Sequence, residues 1–404
     1  METTIQNPMT VFSFLALIAA GIYWSTQQGW AKKFYRVVPP ILLVCYIPAI
    51  CTNLGILPAQ SAAYEWMRDY LLPLSLFLLI MGTDVPMVMR VGKKAIVVML
   101  FGTLGVVVGG PIALMIFQGW LPPDIWKGMA AISGSWIGGG ANFAALKESV
   151  DAPDGIAGAA IVVDATIAFT WLGVWLYLAR FPNLMDRFYK SDSSALADLD
   201  RRFRDYKKAT QRTPEMVDFI FMVALGLGAA VLCGKFAGTV YPIVHPIIEA
   251  KSSALASVFS EFTWLILALT TLGIAVSFTP LRNLEKAGAS NFGFAALYLF
   301  FTSLGAQADL ARIMDMPVFL LVGVVWLFIH VVFLMIGAWL MKAPLFLVAM
   351  GSEANLGGYA SAPVVASAFY KSMAPVGLLL AIFGGIIGTY CGLLAAFLLR
   401  MVAN

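Results

Sequence analysis

The chain has 404 residues, 60% of them hydrophobic and 12% charged, with a formal net charge of +4. A soluble domain carries about 25% charged residues, so this composition cannot furnish the water-facing surface of a soluble core and points to a polytopic membrane protein. The bases stand mostly in loops, where they bear on topology and not on nucleic acid, and Cys45, Cys51, Cys233 and Cys391 lack the spacing of a metal site or a disulfide framework.

The opening "METTIQNPMTVFSFLALIAAGIYW" has no basic n-region and no small-residue cleavage site, so its apolar run is expected to be a retained span. Apolar runs follow near 11–25, 37–57, 70–89, 95–118, 127–146 and 155–179, and again near 216–240, 262–280, 291–311, 315–341, 343–370 and 374–402. Each is read as a crossing segment of about 20 residues. The expected fold class is therefore an all-α polytopic membrane protein with twelve or thirteen transmembrane helices. It divides into a first repeat (1–182), a polar linker (183–214) and a second repeat (215–404). The stretch 180–214 carries nine Lys or Arg and five Asp with Phe and Leu at helical spacing, and reads as a solvated amphipathic segment.

Two segments share a pattern. "AISGSWIGGGANFAAL" (131–146) and "AMGSEANLGGYASAP" (349–363) each hold a Gly-Ser pair, a run of glycines, an asparagine and small residues. Before them, "LFLLIMGTDVPMVM" (76–89) and "LYLFFTSLGAQADLARIM" (297–314) place Asp84 and Asp309 at similar points, expected as helix caps or gate contacts, with Thr83 and Gln307 as caps. Order and spacing together indicate a duplication. Glycine-interrupted helices at matching places in two halves mark the binding site of a secondary transporter, because backbone groups freed inside a membrane must face protein, water or a ligand. Half-helix N-termini there attract anions and C-termini attract cations. The expected substrate-binding set is Ser135, Gly138, Gly139, Gly140, Asn142, Ser352, Glu353, Asn355, Gly357 and Gly358. The plainer use of such glycines is close helix packing, which by itself does not call for Asn and Glu beside them.

Asp164 has nine uncharged residues before it and fifteen after it. An acid so deep in an apolar span is a functional candidate by default, here as an ion-coupling group for a proton or sodium. A purely hydrogen-bonded structural Asp is the alternative. His330, in "WLFIHVVFLMIG", is a candidate proton relay or an interhelical hydrogen bonder.

At "PLSLFLLIMGTDV", "WIGGGANFAAL", the following "VVD", "LFFTSLGAQADL", the His of "FIHVVF" and "ANLGG", the chain resembles the YjcL-like family of integral membrane proteins. That family in turn resembles the cation:proton antiporter and anion transporter superfamily. The resemblance implies two broken helices crossing between inverted repeats, and an essential acid on the helix after the first of them, where Asp164 lies. Ser352, Ala354, Asn355, Gly357 and Gly358 match the second-repeat pattern, and Glu353 occupies its variable position. Val163 stands where a paired acid would be, which departs from sodium-proton exchangers.

Inverted repeats need equivalent helices to lie an odd number of spans apart; the broken segments are fifth and eleventh, six apart, and 241–259 is the candidate thirteenth span that changes the parity. With the N-terminus outside, the short inside loops then hold Lys32, Lys33, Arg36, Arg90, Lys93, Lys94, Lys147, Arg282, Lys286, Lys342 and Arg400, in keeping with positive-inside bias. The basic linker then falls outside. A cytoplasmic linker with parallel repeats, or one re-entrant span, is the other solution.

The expected function is secondary transport of a small polar or anionic solute coupled to protons or sodium through Asp164. A monovalent cation:proton antiporter is the alternative, and a membrane scaffold or sensor the alternative of another class. An enzyme is not expected, since no nucleophile elbow or HExxH is present, and neither is a metal or a cofactor beyond the transported or coupling ion. Expected partners are the solute or ion, the lipid bilayer and a second copy in a homodimer, but not nucleic acid. The expected location is a bacterial cytoplasmic (inner) membrane.

Overall fold

The computed structural model describes residues 4–31, 34–36, 38, 40–82, 92–182, 212–256, 258–307, 317–370 and 373–403. Thr83, Asp84, Asp309, the loop bases Lys32, Lys33 and Arg90, and linker residues 183–211 lie outside them. The described residues are helical, with no strand among them. Seven helices are long and apolar enough to cross a membrane.

In the first half, α1 (Pro8–Thr26) and α2 (Pro40–Asn53) precede α3 (Ala62–Trp66), which runs through a π-helical turn (Met67–Leu71) into α4 (Leu72–Met81). Then come α5 (Lys93–Phe117), the broken pair α6 (Ile125–Gly138) and α7 (Gly140–Ser149), and α8 (Asp154–Leu178). The second half has α9 (Met216–Glu249), the short α10 (Ser253–Ala256), α11 (Glu261–Ser277), α12 (Ala289–Gln307), α13 (Pro317–Met341), the broken pair α14 (Leu345–Leu356) and α15 (Gly358–Phe369), and α16 (Ala374–Val402). A 3₁₀ segment, Pro280–Ala287, leaves α11 at 93°. Within the described residues, the apolar runs of the sequence thus become helices. The segment 241–259 does not form a thirteenth span: Tyr241–Glu249 prolong α9 through Pro242 and Pro246, and a single turn follows. The parity change that inverted repeats need is not supplied there.

The helices sort into two packed groups. Helices α5, α6, α13, α14, α15 and α16 pack on one another, with α8 laid against α6 and α13. Helices α1, α2, α4, α9, α11 and α12 form the second group. Each group takes helices from both halves of the chain, so neither half is an independent domain. Residues of α6 and α14 are buried almost all round, as suits helices enclosed by others, and all ten residues of α4 are buried too. Close approach within the first group depends on small residues: a Cβ on Gly105 of α5 would lie 2.8 Å from the Cα of His330 on α13, and one on Gly388 of α16 2.7 Å from the Cα of Gly138 on α6. At the start of α9, Glu215 and Asp218 form a capping box and Arg212 pairs with Asp218 at 2.5 Å, which ties the chain leaving the linker to the helix it enters.

Candidate functional site

The two breaks meet. Gly139 ends α6 with φ 82° and ψ −176°, a backbone region that only glycine enters cheaply, and its carbonyl accepts from the N–H groups of Asn142 and Phe143 to start α7. In the second half α14 stops at Gly357, and Gly358 at φ 55° starts α15. The backbones touch here, since a Cβ on Gly358 would lie 3.3 Å from the Cα of Gly139.

A cavity of about 430 Å³ opens beside this contact. Its polar wall consists of Ser135, Asp164, Ser361 and the four break glycines Gly139, Gly140, Gly357 and Gly358, while Asn291 and Tyr298 face it from α12. The rest of the wall is apolar, with Phe143, Phe169, Phe294 and Phe301 among aliphatic side chains, and the cavity lies between the two helix groups. The N-terminal ends of α7 and α15 both reach its wall, and a helix N-terminus favours an anionic group.

Asp164 projects from α8 toward α6. Ser135 donates to its Oδ2 at 2.7 Å and the Trp136 indole to its Oδ1 at 2.8 Å. Trp136 is held in turn against Trp326, ring centroids 4.8 Å apart, and Trp326 donates to the Val106 carbonyl at 2.8 Å. Each carboxylate oxygen has one fixed neutral donor and the cavity on its open side, so the charge is oriented without a permanent cation among the hydrogen-bond partners.

The other expected site residues divide. Ser135, Gly139, Gly140, Gly357 and Gly358 are on the cavity wall; Gly138, Asn142, Ser352, Glu353 and Asn355 are not. The two asparagines are helix clamps of the same design. Asn142 donates to the carbonyls of Gly138 and Gly385 and accepts from Thr389; Asn355 donates to those of Gly351 and Met99 and accepts from Thr103. The Asn355 bond to Gly351 stays in its own helix and the Asn142 bond to Gly138 reaches back across the break to the end of α6; in both, the other two bonds fix the neighbouring helix, α16 or α5, by groups one turn apart. Ser352 accepts from the Trp171 indole at 2.8 Å and meets His330 Nε2 at 3.0 Å, while His330 Nδ1 lies 2.9 Å from the Gly102 carbonyl. A carbonyl only accepts, so Nδ1 carries the hydrogen, and Ser352 can donate to Nε2 while accepting from Trp171. The chain closes with a neutral ring and no polar atom left over, away from the cavity wall. Glu353 is fully buried just behind the wall and accepts from Ser361 at 2.5 Å. Gln307 ends α12 and donates to the Ser303 carbonyl at 2.9 Å.

Residues the sequence reading passed over are Ser361, Asn291, Tyr298 and the phenylalanines of the wall. Ser361 stands inside the quoted glycine motif, so spacing alone pointed near it. Nothing in "ASNFGFAALYLF" distinguishes Asn291 or Tyr298 from the residues of an ordinary apolar helix, because only the packing of α12 across the breaks gives them a role.

A family model described as a protein of unknown function, DUF819, matches residues 13–402. The chain is also 25% identical over 390 residues to the uncharacterized membrane protein YjcL of Bacillus subtilis (strain 168), covering 92% of this chain and 94% of that protein. The chain belongs to the DUF819 family and is an integral membrane protein.

Proposed function

We propose that this member of the DUF819 family is a secondary transporter of a small polar or anionic solute, coupled to protons or sodium through Asp164. The observation that carries the reading is the position of Asp164: an oriented intramembrane carboxylate on the wall of a cavity built where two helix breaks touch. The helix N-termini of α7 and α15 suit an anionic or polar head, and the apolar wall suits the less polar remainder of a solute. Ser135, Gly139, Gly140, Gly357 and Gly358 contact the solute directly; Asn142 and Asn355 hold the breaks in place. Moving the cavity between the two faces of the membrane requires the two helix groups to shift against each other, and the cavity sits at their boundary. In this reading the chain works in a bacterial cytoplasmic membrane, pairs with a second copy and catalyses no covalent chemistry. Ser135 bonds Asp164 whereas His330 bonds Ser352 and Gly102, so these three do not assemble a relay.

A monovalent cation:proton antiporter is the second reading, and one observation favours it: among the described residues, the cavity wall includes an acid and no Lys, Arg or His. Reconstitution into liposomes containing a pH-sensitive dye separates the two. A pH change evoked by sodium or potassium alone and lost in Asp164→Asn supports the antiporter. Silence with cations, followed by a solute that both stabilises the protein and moves protons or sodium, supports the solute transporter. A flux unaffected by Asp164→Asn removes Asp164 from either.

A further inference from the structure

Glu353 lies in the last turn of α14, four residues before Gly357, with no exposed surface. Its Oε2 accepts from the Ser361 hydroxyl at 2.5 Å, and its Oε1 is buried with no hydrogen-bond partner. Ser361, on α15, is on the cavity wall. One hydrogen bond therefore separates this carboxyl from the cavity.

Among the described residues, no countercharge meets Glu353. Helix α14 packs against α5, α6, α8, α13, α15 and α16. Their charged side chains are Lys93 and Lys94 at the start of α5, Lys127 near the start of α6, Asp154 at the start of α8, Arg400 in the last turn of α16, and Asp164 in the cavity. The phenols of Tyr177 and Tyr390 are exposed, and the imidazole of His330 is taken up by Ser352 and Gly102. Among the described residues, no hydrogen bond or ion pair joins Glu353 to any of these. A carboxylate buried with one neutral donor keeps most of its desolvation cost. Its place in the last turn of α14, at the negative end of the helix dipole, opposes the anion further. A hard cation would gather about six oxygen ligands, and the side chains here offer the Glu353 carboxyl and the Ser361 hydroxyl.

We propose that Glu353 is a proton-binding carboxyl that exchanges its proton with the cavity through Ser361. In the protonated state the Oε2–H donates to the Ser361 oxygen and the serine turns its own hydrogen to the cavity. On release the carboxyl proton passes to the serine oxygen while that hydrogen leaves to water or solute, after which the hydroxyl donates to the carboxylate. One proton is transferred and the serine ends as it began; uptake reverses both moves. This deepens the transporter reading by adding a second coupling group, on the broken helix α14 where Asp164 is on the continuous α8, and rests on that reading only for what the proton drives.

The test is infrared spectroscopy of the full-length protein in lipid bilayers through a pH titration, with exchange into heavy water. The expected result is a protonated carboxyl band that disappears in Glu353→Gln and persists in Asp164→Asn. In Ser361→Ala the band should persist at higher frequency, because its hydrogen bond is gone, with hydrogen exchange slowed several-fold. The proposal is overturned if Glu353→Gln keeps every protonated carboxyl band, if Ser361→Ala exchanges at the wild-type rate, or if sodium at fixed pH converts the band to carboxylate, which would make the site a cation site. Should Glu353→Gln fail to fold, the frequency shift in Ser361→Ala decides the matter. The bands are read without any transport, so failure of the transporter reading would leave this result legible.

Discussion

Gly139 and Gly358 touch backbone to backbone, with a Cβ on the second reaching within 3.3 Å of the first's Cα. Both have positive φ, and their conformations differ in cost for a side chain. Gly139 at φ 82° and ψ −176° lies where only glycine is comfortable, a strain of about 1–3 kcal/mol for other residues. Gly358 at φ 55° is also at positive φ, where a side chain costs about 1–2 kcal/mol. Thermal unfolding of the detergent-solubilised protein should therefore show Gly139→Ala lowering the midpoint more than Gly358→Ala. Equal midpoints would mean that the α6–α7 break relaxes to another conformation.

Around Asp164, two donors hold one carboxylate. A hydrogen bond to a charged group contributes about 1.5–3 kcal/mol, so Ser135→Ala and Trp136→Phe should each change the apparent affinity for the coupling ion by about 10- to 100-fold in liposome flux. Asp164→Asn should abolish the ion-driven flux while leaving the protein folded. Wild-type affinity in both donor variants would show that Asp164 is not oriented through them.

The asparagine clamps make a contrasting prediction. Asn142→Ala and Asn355→Ala strip partners from the Gly385 and Met99 carbonyls and from the Thr389 and Thr103 hydroxyls. Thr103 keeps its bond to the Met99 carbonyl and Thr389 its contact with Thr270, so the loss is that of the interhelical hydrogen bonds themselves, about 0.5–1.5 kcal/mol each. Both variants should unfold at lower temperature, yet retain the stabilisation that a bound solute confers on whatever fraction is folded. A normal midpoint with solute binding lost would instead make the asparagines ligands.

Two glycines in long helices should respond to alanine with opposite signs. At Gly105 a Cβ would meet the His330 backbone at 2.8 Å, and such overpacking costs about 1–3 kcal/mol. At Gly173 on α8 nothing lies within 4 Å, so Gly173→Ala should gain up to about 1 kcal/mol of helix propensity. Unfolding midpoints of the two variants, measured side by side, check the sign.

Composition and apolar run lengths determined that the chain is an all-helical membrane protein, and where its helices lie, because a bilayer requires long apolar segments whose backbones are satisfied internally. The paired glycine motifs located both breaks, since Gly139 and Gly358 adopt conformations that other residues resist. The isolated acid in "VVDAT" singled out Asp164 for the same kind of reason: a charge in oil is costly wherever its helix packs. Only the tertiary structure decided what each polar group does. Asn142, Asn355 and Ser352 sit in motifs that also contain cavity residues, yet their side chains turn to α16, α5 and α8. The wall that faces Asp164 comes from α12, more than a hundred residues away in sequence, and no local pattern records it. Periodicity and glycine placement are local properties of a chain, whereas the direction of a side chain depends on which helix is packed against it.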